Sequence, residues 1–510
     1  MPSYFCTIPM TFTGNLKPQE IRCFKMKKKI EKVLISNRGV PAVRIIHTCR
    51  DLRIPTTAVY SSPDRLAAHV LMADSAVHIG EAPPIQSYLN MEKNIAAAKK
   101  SSSNAIHPGW GFLAENPDFA QMVIDAGLIW IGPSPEVIRM MGDKVEAKKL
   151  ALAANVPTIP GLSNVKDVKQ IKKWMKDDRV DFPIMIKAAM GGGGKGMVKV
   201  ESLDELEQAF EQTRSEAIKS FGAGQLLVEK YIESGRHIEV QVVADTHGNV
   251  IHLYERECTL QRRNQKIIEE APSPSLNEDI RNEICFTANR LMREIGYTSA
   301  GTVEFLFDSA TNKYFFLEVN TRLQVEHGVT ELITGLDIVA IMMDIAQGKE
   351  LSFDKAKIQP NRWALEVRLN AEDPKNFSPS FGNISRLRLE TGPGVRVAQS
   401  VYEGASVPPY YDSLMMLIMS SGETRDHAIQ AMDRTLSRNI RIEGVKTLAP
   451  LLLSIIRHKD FRSGDFSTRF IEQHMDELIS NFTESNSEDE VLKIAQYVAE
   501  VSALGTQNWM

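Results

Sequence analysis

Two carboxylates stand inside strongly apolar runs. Glu304 interrupts residues 302–307, and Glu318 interrupts residues 315–319. Both runs are typical of strands, and we expect the two strands to lie side by side. Adjacent carboxylates repel each other unless a cation holds them, and Mg²⁺ prefers carboxylate oxygens together with substrate phosphates. Asn320 adds an oxygen two residues on, on the strand face of Glu318. The pattern favours a metal site over two separate pairs with arginines.

Directly after this segment, polar residues alternate with Leu323 and Val325; they are Arg322, Gln324 and Glu326. In an extended chain, alternate side chains share one face, which here would carry a guanidinium, an amide and a carboxylate. Arginine binds a planar oxyanion with two parallel hydrogen bonds, and a carboxylate beside it can remove a proton from that anion. We interpret the segment as an anion site with a general base. The alternative is a surface strand with a salt bridge.

A glycine run separates two predicted strands, residues 184–187 and 197–200; it consists of Gly191, Gly192, Gly193 and Gly194. Glycine lets backbone amides approach phosphate oxygens closely. The Walker A pattern GxxxxGK[ST] is absent, so a flexible surface loop is the alternative. Lys187, on the entering strand, favours phosphate because a buried unpaired ammonium is costly. The strand–loop–strand order predicts a hairpin lid in a small second lobe.

Three further features are ambiguous. The run Gln261–Lys266, followed by Glu269 and Glu270, is by itself typical of an exposed loop, but near an ATP site it would supply phosphate contacts. The segment His107–Phe112 predicts a tight turn after a short strand, for which a structural role is at least as good an interpretation as a catalytic one. Arg368 ends a predicted strand before a polar turn and is not diagnostic alone.

The elements that must position these residues indicate a mixed α/β and α+β chain of 510 residues, long enough for about three domains. Between residues 32 and 100, short apolar strands alternate with helical stretches, which implies a parallel sheet covered on both faces. GxGxxG is missing after the first strand, which argues against a dinucleotide site. Residues 301–307 and 313–319 predict an antiparallel pair.

Composition excludes several classes of protein. A net charge of −4 provides no basic field for nucleic acid, and no apolar run is long enough for a membrane span. Five cysteines without a CxxC pair argue against a disulfide scaffold or a structural zinc site and favour a reducing cytoplasm. Residues 1–28 are interpreted as a disordered leader rather than a targeting peptide, with a translation start at Met26 as an alternative.

Together these features resemble the biotin carboxylases of the ATP-grasp superfamily, from about Ile30 to Glu472. The motifs follow that family's order, and the ordered set is far more specific than any one motif. They are 36–39, 107–111, 141–144, the glycine run, 229–231, 236–239, 261–263 and 318–327.

The resemblance implies an ATP-grasp fold with an N-terminal parallel-sheet domain at 29–143, an ATP-grasp domain at 144–350 with its lid at about 160–230, a C-terminal biotin carboxylase domain at 351–474 and a helical tail at 475–510. It also implies that ATP phosphorylates bicarbonate, and that the resulting carboxyphosphate releases CO2 to N1′ of biotin. The implied cofactors are ATP, Mg²⁺ or Mn²⁺ and bicarbonate, with carrier-bound biotin as substrate.

The implied partners are a biotin carboxyl carrier protein or domain, a carboxyltransferase subunit and a second copy in a homodimer. Because no Ala-Met-Lys-Met sequence occurs, we expect the carrier on another chain or in a missing region. The final acceptor, an acyl-CoA such as acetyl-CoA or propionyl-CoA, or pyruvate, stays open.

Matching positions imply roles for individual residues. ATP would be contacted by Lys144, Lys187, Glu229, Lys230, Ile232, His237, Gln261 and Asn264, with the lid glycines over its phosphates. Glu304 and Glu318 would hold the metal, with Asn320 nearby. Bicarbonate would be held by Arg322, Gln324 and the Val325 backbone. Lys266 would contact the transferred phosphate. Glu326 would be the general base, and Arg368 would stabilise the biotin enolate.

Four positions depart from the family pattern. Asn264 replaces a usual histidine and cannot titrate, Val40 replaces a usual glutamate, Gly328 a usual proline, and Leu417 a usual lysine. None of these changes removes a predicted metal ligand or the predicted base, so we expect an active enzyme. The rival hypotheses are another ATP-grasp ligase, with an amine as acceptor, and a degenerate, mainly structural paralogue.

Overall fold

The computed structural model describes residues 29–189, 196–222, 224–263, 265–353 and 358–484. The predicted leader, the glycine run, Asn264 and the end of the predicted tail lie outside these ranges. Within the described ranges, no helix combines the length and the apolar character needed to cross a bilayer.

The first part of the chain forms a five-stranded parallel sheet with the order β3-β2-β1-β4-β5, as the alternation of strands and helices predicts. Its strands are β1 Val33–Ile35, β2 Thr56–Ser61, β3 Ser75–Gly80, β4 Ala105–His107 and β5 Ile129–Trp130. The accompanying helices are α1 Gly39–Asp51, α2 Ala68–Met72, α3 Met91–Lys100, α4 Pro117–Asp125 and α5 Pro135–Gly142. Strands β1 and β4 are buried throughout, as expected for a sheet covered on both faces.

The second lobe is a four-stranded antiparallel sheet with the order β6-β9-β7-β8. Its strands are β6 Gly161–Val165, β7 Ile184–Ala188, β8 Met197–Val200 and β9 Leu226–Lys230, and its helices are α7 Val168–Asp177 and α8 Leu203–Phe221, preceded by α6 Lys144–Ala153. The predicted pairing of the two strands around the glycine run is confirmed, with Ile184 opposite Val200.

The central element is an eight-stranded antiparallel sheet with the order β14-β13-β10-β11-β12-β15-β20-β18. Its strands are β10 Gly235–Ala244, β11 Val250–Arg262, β12 Gln265–Ala271, β13 Ser299–Asp308, β14 Lys313–Asn320, β15 Trp363–Asn370, β18 Val395–Gln399 and β20 Leu414–Gly422. Helices α9 Glu278–Glu294, α10 His327–Thr334 and α11 Ile338–Ala346 belong to this region. The predicted β13–β14 hairpin is confirmed.

The described residues after β15 add short strands and further helices around a separate apolar core. The strands are β16 Gly382–Asn383, β17 Arg386–Leu389, β19 Ser406–Val407 and β21 Ile440–Glu443. The helices are α12 Arg425–Arg434, α13 Ala449–Arg457, α14 Lys459–Ser463 and α15 Phe470–Glu484. Because β12 pairs with β15, the central sheet runs continuously into this part.

Candidate active site

Two cavities share part of their walls. The polar cavity has a volume of about 430 Å³ and holds most of the predicted site residues: Lys144, Lys187, Glu229, His237, Gln261, Lys266, Glu304, Glu318, Asn320, Arg322, Gln324, Val325 and Arg368. The aromatic cavity, of about 450 Å³, is walled by Trp110, Phe112, Tyr410 and Tyr411. Both cavities are lined by Gln265, Lys266, Val325 and Arg368. A group bound in one cavity therefore lies next to a group bound in the other.

The carboxylate pair predicted from the sequence is present, because Glu304 and Glu318 are direct partners in the β13–β14 register. Glu304 is buried, 2.8 Å from Lys266 Nζ and 2.9 Å from His237 Nε2. Burial alone would raise its pKa, but Lys266 and His237 hold the pKa well below its ordinary value. Burial and the charge of Glu304 raise the pKa of Glu318. A divalent cation between the two carboxylates would relieve this repulsion, so the pair fits a Mg²⁺ site.

Asn320 lies beside this pair with both ends of its amide engaged. Its Nδ2 donates to Glu304 Oε1 at 2.8 Å, and its Oδ1 accepts from Arg322 Nη2 at 2.9 Å. Asn320 therefore links the carboxylate pair to the next segment, and its Oδ1 keeps a second lone pair beside the bond from Arg322.

At the lid end of the polar cavity, two lysines hold one glutamate. Glu229 Oε2 lies 2.7 Å from Lys187 Nζ, and Glu229 Oε1 lies 2.8 Å from Lys148 Nζ. Burial opposes ionisation of Glu229, but the two ammonium groups lower its pKa to about 2. Lys187 thus has a carboxylate partner in Glu229. Lys148 was not predicted, although it follows Lys144 by one turn of α6 and so shares its helix face.

Two residues predicted to contact ATP lie apart from the others. Lys230 and Ile232 are not among the described residues that line the polar cavity, and the side chain of Lys230 is exposed. His237 and Gln261 do line it. Any contact of Lys230 with a nucleotide would therefore come from its backbone or from a rearranged side chain.

The predicted base, Glu326, is fully buried between two cations. Its Oε1 lies 2.7 Å from Lys266 Nζ, and its Oε2 lies 2.9 Å from Arg368 Nη2. Burial would raise the pKa of Glu326, but Lys266 and Arg368, with Arg256 behind them, hold the pKa below its ordinary value. Glu326 is therefore a carboxylate at neutral pH, able to accept a proton.

We expected an extended strand after Asn320, and this expectation is wrong. Strand β14 ends at Asn320 and helix α10 begins at His327, with bends and a turn between them. The chain turns at Val325 and Glu326, and Glu326 directly precedes the helix. The side chains nevertheless meet: Arg322 Nη1 donates to Gln324 Oε1 at 2.9 Å. Arg322 Nε also contacts Glu115 Oε2 at 2.8 Å, a partner that the sequence did not reveal because it lies 207 residues away.

The exposed-loop expectation for Glu269 and Glu270 is wrong. Both are buried on β12, because that strand lies between β11 and β15. Each has its own cation: Arg368 Nε lies 2.6 Å from Glu269, and Arg425 Nε lies 2.6 Å from Glu270. The available signal was the apolar residues on either side of this pair. Glu269 thus holds Arg368 at Nε, next to the Nη2 that contacts Glu326.

A second buried pair lies beneath Lys266 and was also missed. Glu239 contacts both Lys266 Nζ and Arg256 Nε. Arg256 is fully buried and donates to Gln241 Oε1 at 2.8 Å and to Thr330 Oγ1 at 2.9 Å. These bonds connect the active-site cations to the sheet and to α10.

The turn after β4 combines two roles. His107 is buried, its Nδ1 accepts from the Gly109 N–H at 3.0 Å, and burial lowers its pKa to about 3. A neutral imidazole that holds a turn fits the structural interpretation. The same turn places Trp110 and Phe112 in the wall of the aromatic cavity, which we did not predict.

Three of the four departures lie together, outside the polar cavity. Val40, Leu417 and Met419 form one buried apolar cluster. Gly328 adjoins it, since a Cβ at Gly328 would lie 2.3 Å from Met419 Sδ. The usual glutamate and lysine are therefore replaced here by two apolar residues that pack in the same cluster. The replacement removes both charges at once, so neither is left buried without a partner.

Three family models match the chain. They describe a biotin carboxylase N-terminal domain at residues 29–138, a carbamoyl-phosphate synthase L chain ATP-binding domain at 143–353 and a biotin carboxylase C-terminal domain at 366–473. Among curated proteins, biotin carboxylase 2 of Bacillus subtilis is 46% identical over 445 residues, covering 87% of this chain and 99% of the relative. Pyruvate carboxylase 1 of Caenorhabditis elegans is 41% identical over 98% of this chain and 43% of its own length.

Solved structures give the same result. The biotin carboxylase domain dimer of Hydrogenobacter thermophilus 2-oxoglutarate carboxylase, in complex with MgADP, ADP and bicarbonate, has a TM-score of 0.84 and 43% identity over 88% of this chain and 99% of that chain. A β-γ-ATP complex of biotin carboxylase from Campylobacter jejuni has a TM-score of 0.84 and 40% identity over the same shares of the two chains.

The apolar cluster predicts a coupled pair of substitutions. Val40→Glu alone buries a carboxylate among Leu417 and Met419, and we expect it to destabilise the protein by on the order of 3 kcal/mol. Val40→Glu with Leu417→Lys should recover more than half of this loss, because the ammonium pairs the carboxylate. The measurement is the midpoint of urea unfolding.

The matched control is Leu203→Glu, which adds an acid to the first turn of α8 at a side chain that is 55% exposed. We expect it to change stability little, because an acid is favourable near a helix N-terminus. A double variant no more stable than Val40→Glu alone would show that the two positions are not coupled.

Proposed function

The chain belongs to the biotin carboxylase family, and from that premise we propose that it carboxylates carrier-bound biotin with MgATP and bicarbonate. The observation that carries this proposal is the meeting of the two cavities at Lys266, Val325 and Arg368. Lys144, Lys187 and Glu229, which are among the residues proposed to bind ATP, line the polar cavity, and an aromatic wall suited to a flat ring lies in the other cavity. A CO2 released at this junction would reach biotin without crossing solvent.

The first step requires bicarbonate to be held and deprotonated. We assign its binding to Arg322, Gln324 and the Val325 backbone, because Arg322 and Gln324 already contact each other and line the polar cavity. Glu326 takes the bicarbonate proton, and its lowered pKa keeps it in the basic form. Because two cations contact Glu326, it is a weak base in the free protein. The bound bicarbonate anion must therefore interact with these cations and weaken their effect on Glu326.

Phosphoryl transfer to bicarbonate needs positive charge around the ATP phosphates. Lys144 and Lys187 line the lid end of the cavity, and we assign them, together with the glycine run, to the phosphates. Glu304 and Glu318 would hold Mg²⁺, which neutralises phosphate charge and aligns the transferred group. Lys266, whose Nζ touches the base and Glu304, contacts that group as it moves.

Arg368 serves the second step. It lines both cavities, and its guanidinium is fixed by Glu269 at Nε and by Glu326 at Nη2. A guanidinium in this position can stabilise the negative oxygen that develops on biotin when N1′ loses its proton. Trp110 and Tyr411 would then confine the ring of biotin in the aromatic cavity.

The partners follow from the same chemistry. We propose a biotin carboxyl carrier protein or domain, a carboxyltransferase that receives the carboxyl group, and a homodimer like the one described for the Hydrogenobacter domain. We place the reaction in the cytoplasm, because Cys49 and Cys258 are buried and form no disulfide among the described residues. We also propose that the domain boundaries follow residues 143 and 350, as the resemblance implies.

The proposal is tested by the dependence of ATP cleavage on bicarbonate and free biotin. The wild type should cleave ATP in a bicarbonate- and biotin-dependent manner, and Glu326→Gln should lose at least about 100-fold of this activity because the proton acceptor is gone. The control is Glu294→Gln, an exposed position at the end of α9, which should retain full activity. ATP turnover indifferent to bicarbonate and biotin would refute the proposal.

The pairing of Glu326 with Arg368 predicts a pH effect. Arg368 lowers the pKa of Glu326, so Arg368→Gln should raise that pKa. The base is active only when deprotonated, so the acid limb of bicarbonate-dependent ATP cleavage should move to higher pH. The measurement is the normalised pH–rate profile, with the exposed Arg388→Gln as the control. An unmoved acid limb in Arg368→Gln would separate Arg368 from the base.

A further inference from the structure

Two histidines and two acids meet at the C-terminal helix, far along the chain from the catalytic residues. His458 and Asp460 lie at the start of α14, and His474 and Glu477 lie one turn apart on α15. The two imidazole rings are 4.4 Å apart between centroids. We call His458, Asp460 and His474 the His–Asp cluster. One ligand atom from each of its three residues can be chosen so that all three lie within 4.8 Å of one another.

The distances in this cluster are too long for good hydrogen bonds. Asp460 Oδ2 lies 3.5 Å from His474 Nε2 and 3.8 Å from His458 Nδ1. Hydrogen bonds between nitrogen and a carboxylate oxygen are about 2.7–3.2 Å long. Ligands bound at about 2.0–2.1 Å around a tetrahedral Zn²⁺ are separated by about 3.3 Å, the edge of that tetrahedron. The spacing therefore matches a metal-centred group after a small closure better than it matches a set of direct bonds.

The protonation pattern also suits a metal. His458 Nδ1 accepts from the Asp460 N–H at 3.2 Å, so the proton belongs on Nε2, and a metal bound at Nδ1 takes the place of this long hydrogen bond. That buried Nε2 lies 3.4 Å from Glu477 Oε1 without forming a hydrogen bond to any described residue. His474 Nδ1 likewise lies 3.6 Å from Glu477 Oε2. A carboxylate that receives the outer nitrogens of ligating histidines is the usual support of a zinc site.

Accordingly, we propose that His458 Nδ1, His474 Nε2 and Asp460 Oδ2 bind a divalent transition-metal ion, Zn²⁺ by their chemistry, with Glu477 orienting both imidazoles. Two histidines and one carboxylate leave a fourth position for water, and the partial exposure of His474 and Asp460 opens the site to solvent. His474 and Glu477 lie beyond residue 473, where the C-terminal family model ends. The sequence did not reveal the site because its ligands carry no cysteine signature.

Such an ion would fasten α15 to the rest of the C-terminal part. The helix already packs through Phe470 and Leu478, and Ser454 Oγ donates to the Leu478 carbonyl at 3.0 Å. The segment before it is bound to β10, where the Thr468 N–H donates to the Gly235 carbonyl at 3.1 Å. Strand β10 carries His237 into the polar cavity. The ion therefore has a structural role: it would hold α15, and with it the segment that is hydrogen-bonded to β10.

The test is zinc stoichiometry of the full chain. The wild type and variants are dialysed against Zn²⁺, and bound zinc per chain is measured by elemental analysis. The wild type should hold one equivalent more than His474→Gln or Asp460→Asn. Zn²⁺ should raise the melting temperature of the wild type by more than that of either variant, because a ligand that binds only the folded state stabilises it. Zinc bound elsewhere, including at Glu304 and Glu318, cancels in this difference.

The matched control is His427→Gln, an exposed histidine on α12, which should keep the wild-type stoichiometry and melting response. Equal zinc content in the wild type, His474→Gln and Asp460→Asn would overturn the proposal and leave the cluster as a set of charge contacts. All of these variants should retain bicarbonate-dependent ATP cleavage, so a failed zinc test and a failed catalytic proposal are distinguishable.

Discussion

The ammonium group of Lys266 is the interaction on which the rest of the site depends. Its Nζ contacts three buried carboxylates at once, Glu239, Glu304 and Glu326. In the proposed mechanism these acids have different roles: Glu304 belongs to the metal pair and Glu326 takes the proton, whereas Glu239 contacts the core residue Arg256. A buried anion without a cation costs several kcal/mol. Removing this one positive charge would therefore disturb the metal pair, the base and the sheet beneath them together.

Lys266 lines both cavities and helps to fix their positions relative to each other. Lys266 stands on β12, opposite Gln261 of β11, and the next strand, β15, carries Arg368. The two cations therefore flank the base from adjacent strands of one rigid sheet, rather than from loops. In the proposed mechanism, bicarbonate bound near Glu326 is then within reach of the nucleotide in the polar cavity and of biotin in the aromatic cavity. Nothing in the described residues favours the rival hypothesis of an ATP-grasp ligase with an amine as acceptor.

Much of this arrangement was predictable from the sequence, for identifiable reasons. Glu304 and Glu318 stood out because a charge in an apolar strand demands a partner, and the hairpin that pairs them has a short connection. The strands around the glycine run were predicted by the same local patterns. Partners that are distant in the sequence were not predictable: Glu115 meets Arg322 across 207 residues, and Glu269 meets Arg368 across 99. The geometry of residues 321–326 was mispredicted because alternation indicates a strand, whereas the start of α10 imposes a turn.

The central claim is that bicarbonate itself is phosphorylated, with Lys266 and Glu326 acting on the same bound anion. Turnover with oxygen-18-labelled bicarbonate tests this claim most directly, because carboxyphosphate formation leaves one bicarbonate oxygen on the phosphate when it breaks down. Mass spectrometry of the inorganic phosphate should find one labelled oxygen per phosphate released in bicarbonate-dependent turnover. Phosphate that carries no label, while biotin is being carboxylated, would contradict the account.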